Sequence, residues 1–142
     1  MKAQIVSRVP AADAVKLIQR APEAVSAGFP SPAAGYYTGP LDLNEHLITD
    51  PISTFVMRVS GESMLGAGIF DGDEMIVNRS RQPVHGDIVV AIIDSEMTVK
   101  RLLVAGGSVI LRAENPRYPD IRLTEFAELE IWGVVEWCLH RV

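Results

Sequence analysis

One serine and one lysine in this sequence are placed where they could act together as a nucleophile and its base. Ser63 lies beside a glycine in the segment Val59-Ser60-Gly61-Glu62-Ser63-Met64, directly after an alternating apolar run. Lys100 lies inside a second such run, from Met97 to Val104. A serine hydroxyl is a weak nucleophile near neutral pH because its proton must leave as the oxygen attacks. We interpret Ser63 as the nucleophile and Lys100 as its general base.

A lysine can accept that proton only when it is neutral. Free lysine titrates near ~10.4, but burial can lower the pKa by up to ~3–5 units. On a strand, Lys100 shares one face with Thr98 and Leu102, whereas Arg101 points to the other face. Lys100 could therefore face a catalytic groove while Arg101 stays solvated. The alternative interpretation is a turn serine and an exposed strand lysine, both with structural roles only.

The composition restricts the class of protein. With 142 residues the chain is long enough for one domain with a buried core, and 48% hydrophobic and 22% charged residues are ordinary for a globular protein. The net charge of −5 provides no basic field for nucleic acid, so direct DNA binding is disfavoured. Cys138 is the only cysteine, which excludes an internal disulfide and a cysteine metal cluster.

The sequence also indicates where the protein works. Residues 1–8 lack the apolar core of a signal peptide. The longest apolar run, Ile88 to Ile93, is far shorter than the ~20 residues that cross a bilayer. We expect a cytoplasmic protein without membrane contact, and a reducing cytosol suits its single cysteine.

Residues 1–40 differ in composition and residue pattern from the rest and are predicted to form an N-terminal arm. A short helix is expected from Ala11 to Arg20, bounded by prolines; one helix is too little for a helix-turn-helix. Residues 26–35 are small residues and prolines, typical of an extended, flexible segment. This segment could be a linker. It could equally be a protease substrate, because the small side chains of Ala27 and Gly28 leave the backbone accessible.

Residues 41–142 are predicted to be mainly β. A single helical turn capped by Asp42 comes first. Short strands separated by turns then follow, predicted over residues 54–59, 74–79, 88–93, 97–104, 109–112 and 131–139. Such spacing indicates a twisted domain with two packed sheets or a partial barrel.

No metal or cofactor site is expected. The turn Asp71-Gly72-Asp73 lacks the later ligands of a calcium loop, so we interpret it as a plain acidic turn. The three histidines, His46, His85 and His140, are scattered and are interpreted as solvated residues rather than ligands.

Several motifs, which follow one another along the chain, resemble those of the LexA/UmuD family of self-cleaving Ser-Lys peptidases. They are Ser60-Gly61-Glu62-Ser63-Met64, Asp71-Gly72-Asp73, His85-Gly86-Asp87-Ile88-Val89 and Thr98-Val99-Lys100, and Ala27-Gly28-Phe29-Pro30-Ser31-Pro32-Ala33 looks like the processing site. The scissile bond would be Ala27–Gly28, where many UmuD-branch proteins have Cys-Gly. Only about 27 residues precede it, without the DNA-binding helix-turn-helix of the repressors, so the resemblance is to the UmuD branch.

The resemblance implies a function as well as a fold. It implies a homodimer whose flexible arm docks in an active site of its own chain or of its partner, and self-cleavage stimulated by the RecA–single-stranded DNA filament. It implies that the trimmed form joins a UmuC-type subunit as an error-prone translesion polymerase in the SOS response.

The expected chemistry is acyl transfer. Ser63 would attack the Ala27 carbonyl, and backbone N–H groups of Ser63 and Met64 would stabilise the oxyanion, by analogy with other acyl-transfer sites. Two alternatives remain open: a dimerisation module without catalytic activity, and a signal-peptidase-like enzyme acting on other proteins. The lack of a membrane segment disfavours the second.

Overall fold

The computed structural model describes residues 1–8, 16–20, 27–28, 40–123 and 129–142. The chain forms two compact units, one of Met1–Pro10 with Asp50–Val142 and one of Ala11–Thr49. The first contains both Ser63 and Lys100, and the second contains Ala27 and Gly28.

The larger unit is an eight-stranded sheet in which every described pair of neighbours is antiparallel. Its strands are β1 (Lys2–Arg8), β4 (Thr54–Ser60), β5 (Glu74–Asn78), β6 (Ile88–Ile93), β7 (Glu96–Ala105), β8 (Ser108–Arg112), β9 (Ile121–Arg122) and β10 (Leu129–Leu139). They lie in the order β1-β4-β5-β10-β6-β7-β8-β9. The prediction of a mainly β fold is confirmed.

Alternation along the strands divides the core into two clusters. On β6, Val90 packs in one cluster, while Val89 and Ala91 pack in the other. The sheet also curls: four strands lie between β1 and β7, and yet Val99 donates a backbone hydrogen bond to the carbonyl of Met1. Curling brings the end of β4 and the middle of β7 to one place, where Ser63 and Lys100 lie.

The smaller unit contains a two-stranded sheet of β2 (Leu17–Gln19) and β3 (Pro40–Asp42), followed by the helix α1 (Leu43–Leu47). The predicted turn of helix is confirmed, with the Asp42 side chain accepting a hydrogen bond from the N–H of Asn44. The predicted helix from Ala11 to Arg20 is wrong over residues 17–19, and residues 11–15 lie outside the described part. A helix of ten residues is marginal alone, and pairing with β3 satisfies the backbone instead.

The first eight residues belong to the larger unit. Residues 2–8 form β1, which pairs with β4 at the edge of the main sheet. The division into an arm of residues 1–40 and a peptidase domain of residues 41–142 stays a prediction. The predicted flexibility of residues 26–35 falls outside the described residues except at Ala27 and Gly28, which form an exposed bend.

Candidate active site

The turn that presents Ser63 begins where β4 ends, at Ser60. Gly61 has a φ of +98° and donates its N–H to the Asp71 carboxylate at 2.7 Å. A side chain at residue 61 would be strained at that φ. The chain then enters a short 3-10 helix, Leu65–Ala67. The acidic turn predicted at residues 71–73 thus braces the start of the Ser63 turn.

The loop after β8 holds the same turn from the other side. The Asn115 side-chain amide donates to the carbonyl of Glu62 at 2.8 Å. The N–H of Gly66 donates to the carbonyl of Glu114 at 2.7 Å, and a Cβ at residue 66 would come within 2.7 Å of that oxygen. Only glycine permits this close approach, so Ser63 lies between two anchored peptide groups.

Lys100 reaches Ser63 from the centre of β7, where it pairs with Val89 of β6. Lys100 Nζ lies 3.1 Å from Ser63 Oγ. Ser63 is fully buried and Lys100 is 5% exposed. The structure therefore brings together the two side chains that were singled out in the sequence, at hydrogen-bonding distance and away from bulk water.

The surroundings of Lys100 favour its neutral form. Burial lowers the pKa of Lys100 below its ordinary value, and a hydrogen bond with the α-amino group of Met1 offsets part of that shift. Nζ also lies 3.1 Å from Thr98 Oγ1 and 3.1 Å from the carbonyl of Val99. Both oxygens can accept from the amine, so Nζ has a fixed position beside Ser63 Oγ.

The N-terminal residues lie against this site. The carbonyl of Met1 accepts hydrogen bonds from Val99 N–H at 3.2 Å and from Thr98 Oγ1 at 2.9 Å. Burial and the nearby charge of Lys100 lower the pKa of the Met1 α-amino group to about 6. Met1, Lys2, Thr98 and Lys100 also line a cavity of about 520 Å³. Nothing in the sequence pattern indicated that residue 1 would reach this site.

The two backbone groups predicted to stabilise an oxyanion lie at the start of the 3-10 helix. Met64 is its N-cap, and its carbonyl accepts from the N–H of Ala67 and of Ile69. Among the described residues, the N–H groups of Ser63 and Met64 donate no hydrogen bond.

Two positioning residues were missed from the sequence, Asn115 and Asp71. No local pattern marked Asn115 as a positioning residue, because its partner Glu62 is 53 residues away. Asp71 had a clearer signal, because an aspartate beside a glycine is a frequent side-chain acceptor in turns. Arg101, which could stay solvated on the strand pattern, has a side chain that is 31% exposed, and its guanidinium donates to Glu114 and to the carbonyl of Gly86.

The three histidines are exposed, which confirms their interpretation as solvated residues, and one of them, His140, also contacts a buried carboxylate. Its Nδ1 lies 2.6 Å from Oδ1 of the buried Asp73, and the Cys138 thiol lies 3.3 Å from Oδ2. His85 Nδ1 accepts from the N–H of Val104. Burial and the Asp73 carboxylate raise the pKa of Cys138 to about 12, so its thiol stays protonated. The contacts of Asp73 with Cys138 and His140 therefore connect the end of β10 to the turn before β5.

Within the described residues, no group of histidine, cysteine, aspartate and glutamate side chains is arranged to hold a metal ion. No helix in that part of the chain is long and apolar enough to cross a membrane.

Comparison with known proteins gives the class. The chain belongs to the peptidase S24-like family, which it matches over residues 17–136. It is 45% identical to the ImpA protein of Escherichia coli over 115 residues, covering 81% of this chain and 78% of ImpA. It is 46% identical to the MucA protein of Escherichia coli over 112 residues, covering 78% of this chain and 76% of MucA.

These relatives are UmuD-like proteins, and the resemblance to the LexA/UmuD family is confirmed. A LexA repressor of Magnetococcus marinus is 38% identical over 111 residues, which cover 78% of this chain but 47% of the repressor. Membership of the family supports a self-cleaving serine peptidase in general, and the UmuD-like relatives support a role in SOS mutagenesis.

Proposed function

We propose that this protein is a serine endopeptidase that cuts its own chain between Ala27 and Gly28, with Ser63 as nucleophile and Lys100 as general base. The observation that carries the proposal is the 3.1 Å separation of Lys100 Nζ and Ser63 Oγ in a buried site. The lowered pKa of Lys100 supports it, because a base must be neutral before it can accept a proton.

The reaction proceeds in two acyl-transfer steps. Ser63 Oγ attacks the carbonyl carbon of Ala27 as its proton passes to Lys100 Nζ. The C–N bond to Gly28 then breaks, and the lysine ammonium returns the proton to the leaving amine. Water attacks the resulting ester, with Lys100 taking one of its protons, which restores the Ser63 hydroxyl and leaves a carboxylate on Ala27.

Backbone N–H groups stabilise the oxyanion of each step. Ser63 and Met64 supply them, at the start of the 3-10 helix. Fixed donors of this kind are worth a factor of about 10²–10³ in rate. Small side chains at Ala27 and Gly28 allow the substrate backbone to approach these donors closely.

The biological role follows from the family. We infer that the protein acts as a homodimer and that the RecA–single-stranded DNA filament stimulates the cleavage. The trimmed form is the accessory subunit of a UmuC-type, error-prone translesion polymerase. The UmuD-like relatives support this role, and the net charge of −5 agrees with recruitment by proteins rather than by direct DNA binding.

The test is incubation with the RecA filament and ATP, followed by intact-mass measurement. Cutting at Ala27–Gly28 leaves a product of 142 − 27 = 115 residues that begins at Gly28. Ser63→Ala should fold and bind the filament but stay intact. Lys100→Arg should also stay intact, because arginine keeps its proton.

Other outcomes would identify the alternatives. A product with a different N-terminus would contradict the site of cleavage. Wild-type protein that stays intact with the filament and at alkaline pH would favour a dimerisation module without catalytic activity. Near-normal cleavage by Lys100→Arg would exclude Lys100 as the base.

A further inference from the structure

The N-terminal strand lies where a substrate would be expected to bind. β1 pairs with the edge of β4, and its first residue pair is Lys2 with Ser60, next to the turn that carries Ser63. A Cβ at Gly61 would lie 3.3 Å from the Cα of Met1. The backbone of residues 1 and 2 therefore packs directly on the nucleophile turn.

Met1 also accepts hydrogen bonds from β7, the strand that carries Lys100. Val99 N–H, one residue before Lys100, donates to the Met1 carbonyl, as does Thr98 Oγ1. Residues 1 and 2 thus bridge β4 and β7. Peptides that bind in extended form use such strand edges, through main-chain hydrogen bonds and pockets for alternate side chains.

A side-chain pocket adjoins this position. Lys100 faces the cavity of about 520 Å³, whose walls include Met97, Tyr118 and Ile121 and which Met1 and Lys2 also line. A cavity of this size accommodates substrate side chains.

We propose that residues 1–3 fill the peptide-binding groove beside Ser63 and Lys100, so that β1 inhibits the peptidase until it is displaced. The inference rests on the proposed peptidase function. β1 is suited to reversible displacement: it is an edge strand, its pairing shifts register between Ile5 and Ser7, and Ile5 is 47% exposed.

A disulfide lock tests the proposal directly. Opposed residues on antiparallel strands have Cα atoms about 4.5–5.5 Å apart, within the range that a disulfide spans. Lys2→Cys with Ser60→Cys, in a Cys138→Ser background, would therefore fix β1 on β4. We expect the oxidised protein to cleave itself at least about tenfold more slowly at alkaline pH than the same protein reduced. Equal rates would overturn the proposal.

A second variant releases the strand instead of fixing it. Ala3 packs against the core, whereas Gln4 is exposed. Ala3→Asp should expel β1 and raise the unassisted cleavage rate about tenfold, while Gln4→Asp adds the same charge on the exposed face and should leave the rate unchanged. An unchanged or lower rate in folded Ala3→Asp would contradict the proposal. Thermal unfolding checks that each variant is folded.

A peptide-binding measurement on inactive protein tests this inference independently of the proposed peptidase function. A labelled peptide of residues 22–33 is titrated into Ser63→Ala protein and followed by fluorescence anisotropy. We expect tighter binding with Ala3→Asp and weaker binding with the oxidised lock. If the reduced Lys2→Cys/Ser60→Cys protein never cleaves itself, the proposed function alone is overturned. If the affinity for the peptide is the same in Ala3→Asp and in the oxidised lock, the inference alone is overturned.

Discussion

The side-chain amide of Asn115 donates a hydrogen bond across 2.8 Å to the carbonyl oxygen of Glu62. That carbonyl belongs to the same peptide unit as the N–H of Ser63, and no cis peptide bond is present among the described residues. In a planar trans peptide the C=O and N–H groups point in opposite directions. Asn115 therefore fixes the direction of a proposed oxyanion donor without touching the substrate.

Asn115→Ala should slow self-cleavage about tenfold, which is less than the loss of an oxyanion donor itself. Because the pKa of Lys100 is unaffected, the midpoint of the pH–rate profile should not move. The rate is measured by intact mass, and Asn44→Ala on α1 serves as the control. A shifted midpoint would mean that Asn115 acts through the lysine instead.

Lys100→Met should increase the free energy of unfolding at pH 7. Burial lowers the pKa of Lys100 in the folded state, so the unfolded state binds more protons between the folded and unfolded pKa values. Wild-type stability therefore rises with pH over that interval, and the advantage of Lys100→Met should shrink as pH approaches ~10.4. Each unit of pKa depression corresponds to about 1.4 kcal/mol.

Urea unfolding at a series of pH values measures this difference. Lys16→Met, at an exposed position, is the matched control and should show no such pH dependence. A Lys100→Met variant that is less stable than wild type at pH 7 would show that the hydrogen bonds of Nζ outweigh its desolvation.

Ala27→Trp should block self-cleavage while leaving the fold intact. A bulky side chain at the scissile position would keep the peptide backbone from the buried Ser63. Unfolding curves that superimpose on wild type, together with intact mass after prolonged incubation, check both parts. Normal cleavage of this variant would place the scissile bond elsewhere.

Asp73→Asn should cost about 1–3 kcal/mol of stability at pH 7. Burial raises the pKa of Asp73, but hydrogen bonds from Phe70 N–H, His140 and Cys138 outweigh it, and the pKa ends below its ordinary value. A carboxylate with a lowered pKa stabilises the fold above its unfolded pKa and loses that contribution as pH falls through the folded pKa.

The loss of stability caused by Asp73→Asn should accordingly become smaller toward pH 3. Chemical denaturation at both pH values tests this, with Asp94→Asn in the exposed β6–β7 turn as control. A loss of equal size at both pH values would show that the side chain acts through packing and not through its charge.

The strands near the site could be predicted because their signals are local. The apolar run Ile88 to Ile93 matches β6, and residues 97–104 lie within β7. The turn between them has positive φ values at Asp94 and Ser95, and aspartate is a residue type that tolerates this conformation in short hairpins. Periodicity and turn chemistry suffice for such elements.

The parts that could not be predicted depend on distant partners. β2 has only three residues and forms because β3 lies beside it. The contact between Asn115 and Glu62 and that between Met1 and Val99 join residues far apart in the chain. Sequence spacing indicated which residues could do chemistry, but the curl of the sheet determines which backbone groups hold them.

The pH–rate profile of unassisted self-cleavage in folded wild-type protein tests the central claim most directly. With Lys100 as base, only its neutral form reacts, so the rate should rise about tenfold per pH unit and level off above the lowered pKa of Lys100. Circular dichroism confirms folding at each pH. A profile that is flat from pH 7 to 10, or that levels off near ~6.5 as a histidine base would, would contradict the Ser63–Lys100 mechanism.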